Sequence, residues 1–227
     1  MRTESESASK GHLVCFVGID GAGKSTLARA LTAIVEQQGI ECDHVWGGFS
    51  SSFIIFKPLI GALKASLFSG NDHMEVSKTK GRVLKSSRLS ALYQYLALTD
   101  YTIRAVFKIK LPLLFGRQVI CDRYVYDVIT SVGVVLDYPM DKTLALLRRC
   151  LAFLPKPDLV FLVDLPETVA YRRKDDIVSP EFLSIRREIY LQMARQEGMT
   201  ILDGNCDVGE LEQLVVTKAL PLMMGDR

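Results

Sequence analysis

Nine consecutive residues, Gly18-Ile19-Asp20-Gly21-Ala22-Gly23-Lys24-Ser25-Thr26, fit the spacing Gly, four residues, Gly-Lys-Ser. Glycines at Gly18, Gly21 and Gly23 let a backbone turn so that its N–H groups face inward, a concave nest suited to phosphate oxygens. Lys24 adds a point charge, and Ser25, at the start of a helix, offers a hydroxyl to Mg²⁺ bridging the outer phosphates of a nucleotide. Ala22 and Thr26 complete the cradle. A glycine-rich connecting turn is the other reading of these residues; the full match, with a strand before it and a helix after it, favours the phosphate loop.

That chemistry needs a strand that delivers the loop and a helix whose N-terminus receives the anion. Residues His12 to Val17 form an apolar, strand-like run, and Leu27, Ala30, Leu31, Ile34 and Val35 recur at helical spacing up to a stop at Gly39. The same alternation continues along the chain. Strands are predicted over Glu41–Trp46, Gln118–Cys121, Leu159–Val163 and Met199–Leu202. Helical spacing follows over Arg82–Ile109, broken by Pro112 and Gly116, and over Val125–Val135, Lys142–Phe153, Thr168–Lys174, Glu181–Gly198 and Val208–Met223. Phe53, Ile54, Phe56, Leu59, Ile60, Leu63 and Leu67 also lie at helical spacing. Short, near-continuous apolar strands between helices predict an α/β fold, a parallel sheet buried on both faces, with ligands at the carboxyl ends of the strands.

The chain has 227 residues, 48% hydrophobic, enough for one large domain with a substantial core. With 28 basic and 26 acidic residues the net charge is +2, so no global field favours nucleic acid or a membrane, and any anion site is local. Cys15, Cys42, Cys121, Cys150 and Cys206 are widely spaced, and with His12, His44 and His73 they show no metal-ligand pattern; reduced thiols in a cytoplasmic protein are expected. Residues 1–11 read as a disordered polar tail, and Lys57 and Lys64 interrupt the longest apolar run.

A phosphate loop is common to GTPases, ATPases and kinases. The Asn-Lys-x-Asp and Asp-x-x-Gly segments of GTPases are absent, and Asp164 is followed by Leu165-Pro166-Glu167. Beyond the loop, the chain carries Asp122-Arg123-Tyr124 after the third strand and Lys156-Pro157-Asp158 leading into the fourth, which ends at Asp164. Phe182, Arg187, Tyr190 and Ala194 follow in a helix, and Leu202-Asp203-Gly204 closes the last strand. In order and spacing these resemble the thymidylate kinase family of nucleoside monophosphate kinases.

The resemblance implies a P-loop NTPase fold of five parallel strands flanked by helices on both faces. It implies one kinase domain over residues 12–227 with a mobile lid at about 168–180, ATP and Mg²⁺ as cofactors, and a homodimer formed through long helices. By the same resemblance Asp20 faces the acceptor and metal region, Asp122 holds Mg²⁺ together with Ser25, and Arg123 clamps the acceptor phosphate or the transferred group. Asp203 and Gly204 pass beside the adenine. Family members without an arginine inside the phosphate loop supply one from the lid; this chain has Gly21 in the loop, which points to Arg172 or Arg173. The alternatives are a surface turn with an internal ion pair at Asp122-Arg123, and a solvated basic turn in which Arg172 and Arg173 pair with Asp175 and Asp176.

The acceptor side departs from the family pattern. Val45-Trp46-Gly47-Gly48-Phe49-Ser50 stands where an Arg-Glu-Pro segment is usual, and Tyr95-Leu96-Ala97-Leu98-Thr99-Asp100-Tyr101 where an Ala-Asp-Arg-like run is usual. Gln94, Asp100 and Tyr101 are candidates to line a pocket, with Tyr95 and Leu98 assigned to the core; Lys78, Lys80, Arg82, Lys85 and Arg88 form a basic stretch. The leading expectation is γ-phosphate transfer from ATP to a nucleoside monophosphate, dTMP first. The alternatives are a kinase with a non-nucleotide acceptor and a nucleotide-binding regulatory protein.

Overall fold

The computed structural model describes residues 11–48, 88–173 and 179–225. In chain order its elements are β1 (Leu13–Val17), α1 (Lys24–Gln37), β2 (Cys42–Trp46) and α2 (Arg88–Ala105), a π-helical turn (Val106–Lys110) and α3 (Leu111–Leu114). They continue with β3 (Gln118–Asp122), α4 (Val125–Val135), α5 (Met140–Leu151), β4 (Leu159–Asp164), α6 (Glu167–Arg172), α7 (Pro180–Glu197), β5 (Thr200–Asp203) and α8 (Val208–Met224). Residues 1–10 of the tail expected at 1–11, the apolar segment Phe53–Leu67 and the basic residues Lys78, Lys80, Arg82 and Lys85 lie outside the described residues, while Gly11, expected in the tail, is buried against the backbone of Leu113 and Arg117.

All five strands are parallel, in the order β2-β3-β1-β4-β5. Every residue of β1 and of β3 is buried, so both faces of the sheet centre are covered, as the apolar runs Leu13–Val17 and Val119–Cys121 require. Phe16 and Phe161 stack at 5.2 Å across β1 and β4. On α1 the i, i+4, i+8 series Leu27, Leu31 and Val35 faces inward, and α4 is buried from Val125 through Gly133. The chain leaves β1 between β3 and β4, and at such a point an open α/β sheet leaves a crevice at its carboxyl edge.

Two helical expectations are corrected. Pro112 does not end the long helix. The Leu111 N–H donates to the Val106 carbonyl five residues back, and this wide turn lets the helix run on with Pro112 in the first turn of α3, where a missing N–H costs nothing. Gly116, at φ 78°, is the actual stop. Tyr95 is 68% exposed rather than core, whereas Leu96 and Ala97 beside it are buried. Elsewhere among the described residues the predicted elements stand within a few residues of their expected ends. Gly198 closes α7 in the left-handed conformation, and Ser179 caps its start by accepting the Phe182 N–H.

Candidate active site

The loop between β1 and α1 turns on Gly18, Gly21 and Gly23, all at positive φ. At Gly21 the need for glycine is double. Its φ is +85°, and a Cβ there would stand 2.7 Å from the Ala170 carbonyl oxygen of α6. Helix α6 thus backs directly onto the loop, and no side chain, arginine included, fits between them. Gly23 opens α1 with no side-chain cap among the described residues, and while the Thr26 and Leu27 N–H groups turn back to the Gly23 carbonyl, the Lys24 and Ser25 N–H groups are left for an anion.

Lys24 is 3% exposed, and its Nζ donates to the Ile19 carbonyl, curling the side chain back over the loop. Burial, reinforced by the positive charge of Arg123, pushes its ammonium down to about 7 against the pull of Asp20. A phosphate in the loop would reverse that balance. Ser25 is half-buried at the helix start and Thr26 is exposed beside it.

The carboxyl ends of β1 and β3 meet beside the loop. Arg123, directly after β3, holds φ 71°, a conformation uncommon for a residue with a side chain, and donates its N–H to the Phe16 carbonyl at 2.8 Å. Its guanidinium is gripped at both ends, Nη2 by Asp20 Oδ1 and Nη1 by Asp127 Oδ1 at 2.7 Å. Burial alone would weaken that charge, but Asp127 and Asp20 outweigh it and hold the guanidinium above its ordinary value. Burial likewise opposes ionisation of Asp20, yet Arg123 and Lys24 keep its carboxyl below the usual range. The surface turn with an internal ion pair, given above as the alternative for Asp122-Arg123, is not what forms: Asp122 and Tyr124 are buried, and Arg123 pairs instead with Asp20 and Asp127, partly buried in the crevice.

Asp122 is 3% exposed, and its Oδ1 has no hydrogen-bond partner among the described residues. A buried carboxylate oxygen without a partner is costly unless something else occupies it. Mg²⁺ in phosphoryl-transfer sites is held by one or two protein oxygens, waters and substrate phosphates, so this oxygen with the Ser25 hydroxyl fits such an ion. Among the described residues no cluster of three or more His, Cys, Asp or Glu side chains forms a self-sufficient metal cage.

On the other side of the loop lies a cavity of about 330 Å³, bounded by Gly21, Gly23 and Thr26, by Gly204 and Cys206 after β5, and by Arg173. The Gly204 N–H donates to the Asp164 carbonyl at 2.7 Å, bringing this turn against the loop. Asp203 is used locally: its Oδ1 accepts from the Asn205 N–H and side-chain amide. The two lid arginines part company, because Arg173 borders the cavity and Arg172, also exposed, does not. Lys174, Asp175 and Asp176 lie outside the described residues.

On the acceptor side Gly47 donates to the Asp122 carbonyl at 2.9 Å, and a Cβ on Gly48 would lie 2.5 Å from Trp46 Cζ2 and 2.6 Å from Arg123 Cδ. The glycine pair lets the indole, 51% exposed, and the arginine stem close on one another. Asp100 is buried and accepts from Arg104 at 2.9 Å, and Tyr101 is buried too; Gln94 borders a groove between α2 and α5, where it accepts from Tyr138 Oη at 2.7 Å. Arg149 borders that groove rather than the nucleotide cavity.

Sequence reasoning missed Asp127 and Arg186. Asp127 Oδ1 accepts from Arg123, from Arg186 Nη2 at 2.9 Å and from Tyr190 Oη at 2.9 Å. The available signal was a charge in each of two otherwise apolar stretches, Val125-Tyr126-Asp127-Val128-Ile129 and Phe182-Leu183-Ser184-Ile185-Arg186. Other residues carrying the resemblance prove structural. Asp158 Oδ2 accepts the Leu13 N–H at 2.9 Å, and Arg187 ties Asp164 at 2.7 Å to Glu167 at 3.1 Å.

No protein-family model matches the chain. Among curated proteins it is 28% identical to a probable thymidylate kinase of Pyrococcus abyssi over 225 residues, 95% of this chain and 99% of the relative. It is 27% identical to the thymidylate kinase of Fervidobacterium nodosum, over 89% of this chain and 95% of that one. With a probable thymidylate kinase of Pyrococcus horikoshii the identity is 30% over 165 residues, 72% of this chain and 70% of the relative. Similarity of that extent, on a five-stranded parallel sheet with a phosphate loop at its carboxyl edge, means that the chain belongs to the thymidylate kinase family of nucleoside monophosphate kinases.

Proposed function

We propose that this protein transfers the γ-phosphoryl group of ATP to dTMP, yielding ADP and dTDP. The observation that carries the reading is the Arg123 guanidinium, suspended between Asp20 and Asp127 beside the phosphate loop. An acceptor phosphate oxygen attacks the γ-phosphorus, the bond to the β–γ bridging oxygen breaks, and ADP leaves with that electron pair. Such a transfer asks the protein chiefly for alignment and charge neutralisation.

In this reading the loop amides and Lys24 hold the β- and γ-phosphates, and the turn at Gly204 receives the adenine side of ATP. Arg123 exchanges Asp20 for the acceptor phosphate and neutralises the group in flight. Asp20 then faces the sugar side of the acceptor. Arg173, bordering the donor cavity, is the lid arginine, and Arg172 is not. Ser25 and Asp122 would hold Mg²⁺, which supplies charge neutralisation at the outer phosphates. The adjacent Trp46, Gly47 and Gly48 give the acceptor pocket a wall unlike the family's usual one.

Residues 12–227 act as one kinase domain, with the lid at about 168–180 closing over ATP. The groove of about 850 Å³ between α2 and α5, with Tyr95 and Phe153 exposed along it, supports a homodimer. The free thiols at Cys15, Cys42, Cys121, Cys150 and Cys206 support a cytoplasmic location, and no helix among the described residues is long and apolar enough to cross a membrane.

The test is to incubate the purified protein with γ-labelled ATP and Mg²⁺ against nucleoside monophosphates, nucleosides and sugar phosphates. Label appearing in dTDP is the expected result. Transfer only to a non-nucleotide, or ATP binding without transfer, would sink the proposal.

A further inference from the structure

We propose that Asp127 is a positioning residue for phosphoryl transfer, holding the Arg123 guanidinium in line through a carboxylate that Arg186 and Tyr190 lock from the interior. This rests on Arg123 acting as the clamp for the transferred group, as proposed above.

Asp127 lies four residues after Arg123, in the first turn of α4, and its side chain is 5% exposed. Three donors from three places converge on its Oδ1: Arg123 Nη1 at 2.7 Å, Arg186 Nη2 at 2.9 Å and Tyr190 Oη at 2.9 Å. An oxygen held from so many directions has little freedom to move. Arg186 is itself fixed, with Nη1 on Ser131 Oγ at 3.0 Å and its guanidinium carbon 5.5 Å from the Phe182 ring centre.

Stability gives no reason for this cluster. Placing two opposite charges in the interior strips both of water, and an apolar pair of similar size commonly serves a fold as well or better. The Arg186 Nε even lacks a partner among the described residues, an added cost. What the cluster does provide is a fixed point behind Arg123. The other grip on that guanidinium is Asp20, whose side chain is 29% exposed and faces the crevice. An incoming phosphate dianion competes with Asp20 for Arg123 but does not reach the sealed Asp127. One end of the guanidinium therefore stays anchored while the other changes partner.

Without that anchor Arg123 samples positions an ångström or more from alignment, a misplacement worth about 10²-fold in rate. The test uses Asp127→Asn, the charge-balanced pair Asp127→Asn/Arg186→Leu, Arg123→Ala and Arg123→Ala/Asp127→Asn, with unfolding midpoints measured alongside. The paired variant is expected to fold, to lose about 10²-fold in kcat and to keep KM for ATP within about threefold. On the Arg123→Ala background, Asp127→Asn is expected to add no further loss, because its effect passes through Arg123. The proposal is overturned if the Asp127→Asn loss recurs in full without Arg123, or if the paired variant keeps wild-type kcat. It is also overturned if both Asp127 variants fail to fold, which would make the residue structural. Wild-type protein that transfers to no monophosphate would overturn the kinase reading itself, and this inference with it.

Discussion

Nucleotide binding by this protein should consume a proton, and Lys24 is the reason. Its ammonium is pushed down to about 7 from an ordinary 10.5, first by burial and then by Arg123. The sign follows from which state holds the proton. Between about pH 7 and 10 Lys24 is mostly neutral before nucleotide binds, whereas the same side chain against the nucleotide's phosphates is charged. A restored shift of about 3 units corresponds to roughly 4 to 5 kcal/mol of preference for the charged form when phosphate is present. At pH 8 roughly nine-tenths of the lysines are neutral before binding, so ADP binding should take up about 0.9 proton. The same linkage makes affinity fall by about eightfold between pH 7.5 and 8.5. Titration calorimetry of Mg-ADP in two buffers of different ionisation enthalpy measures the uptake directly, and the pH series gives an independent value. Affinity flat across that range, with no buffer dependence of the heat, would refute the reasoning about Lys24.

Arg173→Ala should lower kcat by at least about 10²-fold while Arg172→Ala stays within threefold of wild type, measured as dTDP formation under saturating ATP. Gly48→Ala drives a methyl group between Trp46 Cζ2 and Arg123 Cδ, each under 2.7 Å from its position. It should cut kcat by tenfold or more and shift the emission of Trp46, the single tryptophan of the chain.

The strands and the phosphate loop were readable in the linear sequence because each is a local pattern. Leu159 to Val163 is apolar throughout because both faces of β4 are covered, and Gly18 to Thr26 carries its own spacing. What escaped depends on distant partners. Asp127 and Arg186 are 59 positions apart, and each alone resembles a solvated charge on a helix. Tyr95 reads as core by composition, yet the face it occupies is decided by how α2 rolls against α4 and α5. Of Arg172 and Arg173 the periodicity favours neither; only the direction in which α6 ends puts Arg173, and not Arg172, on the cavity beside the phosphate loop. At the acceptor wall, Gly47-Gly48 reads as an ordinary turn. Its meaning comes from the indole and the arginine stem that close over it.

The wide turn at Val106–Lys110 is equivalent to one residue inserted into an otherwise regular helix. In terms of descent, one extra residue kept in regular α geometry would turn everything before it by about 100° relative to everything after it, and the wide turn absorbs that residue instead. Gln94, Tyr95 and Leu98 therefore keep their places along the α2–α5 groove while Ile109, inside the turn, stays buried. A lineage lacking that residue would close the turn to a regular α-helix and present the same stripe to the groove. A one-residue length change within Val106–Lys110 thus leaves the groove as it is.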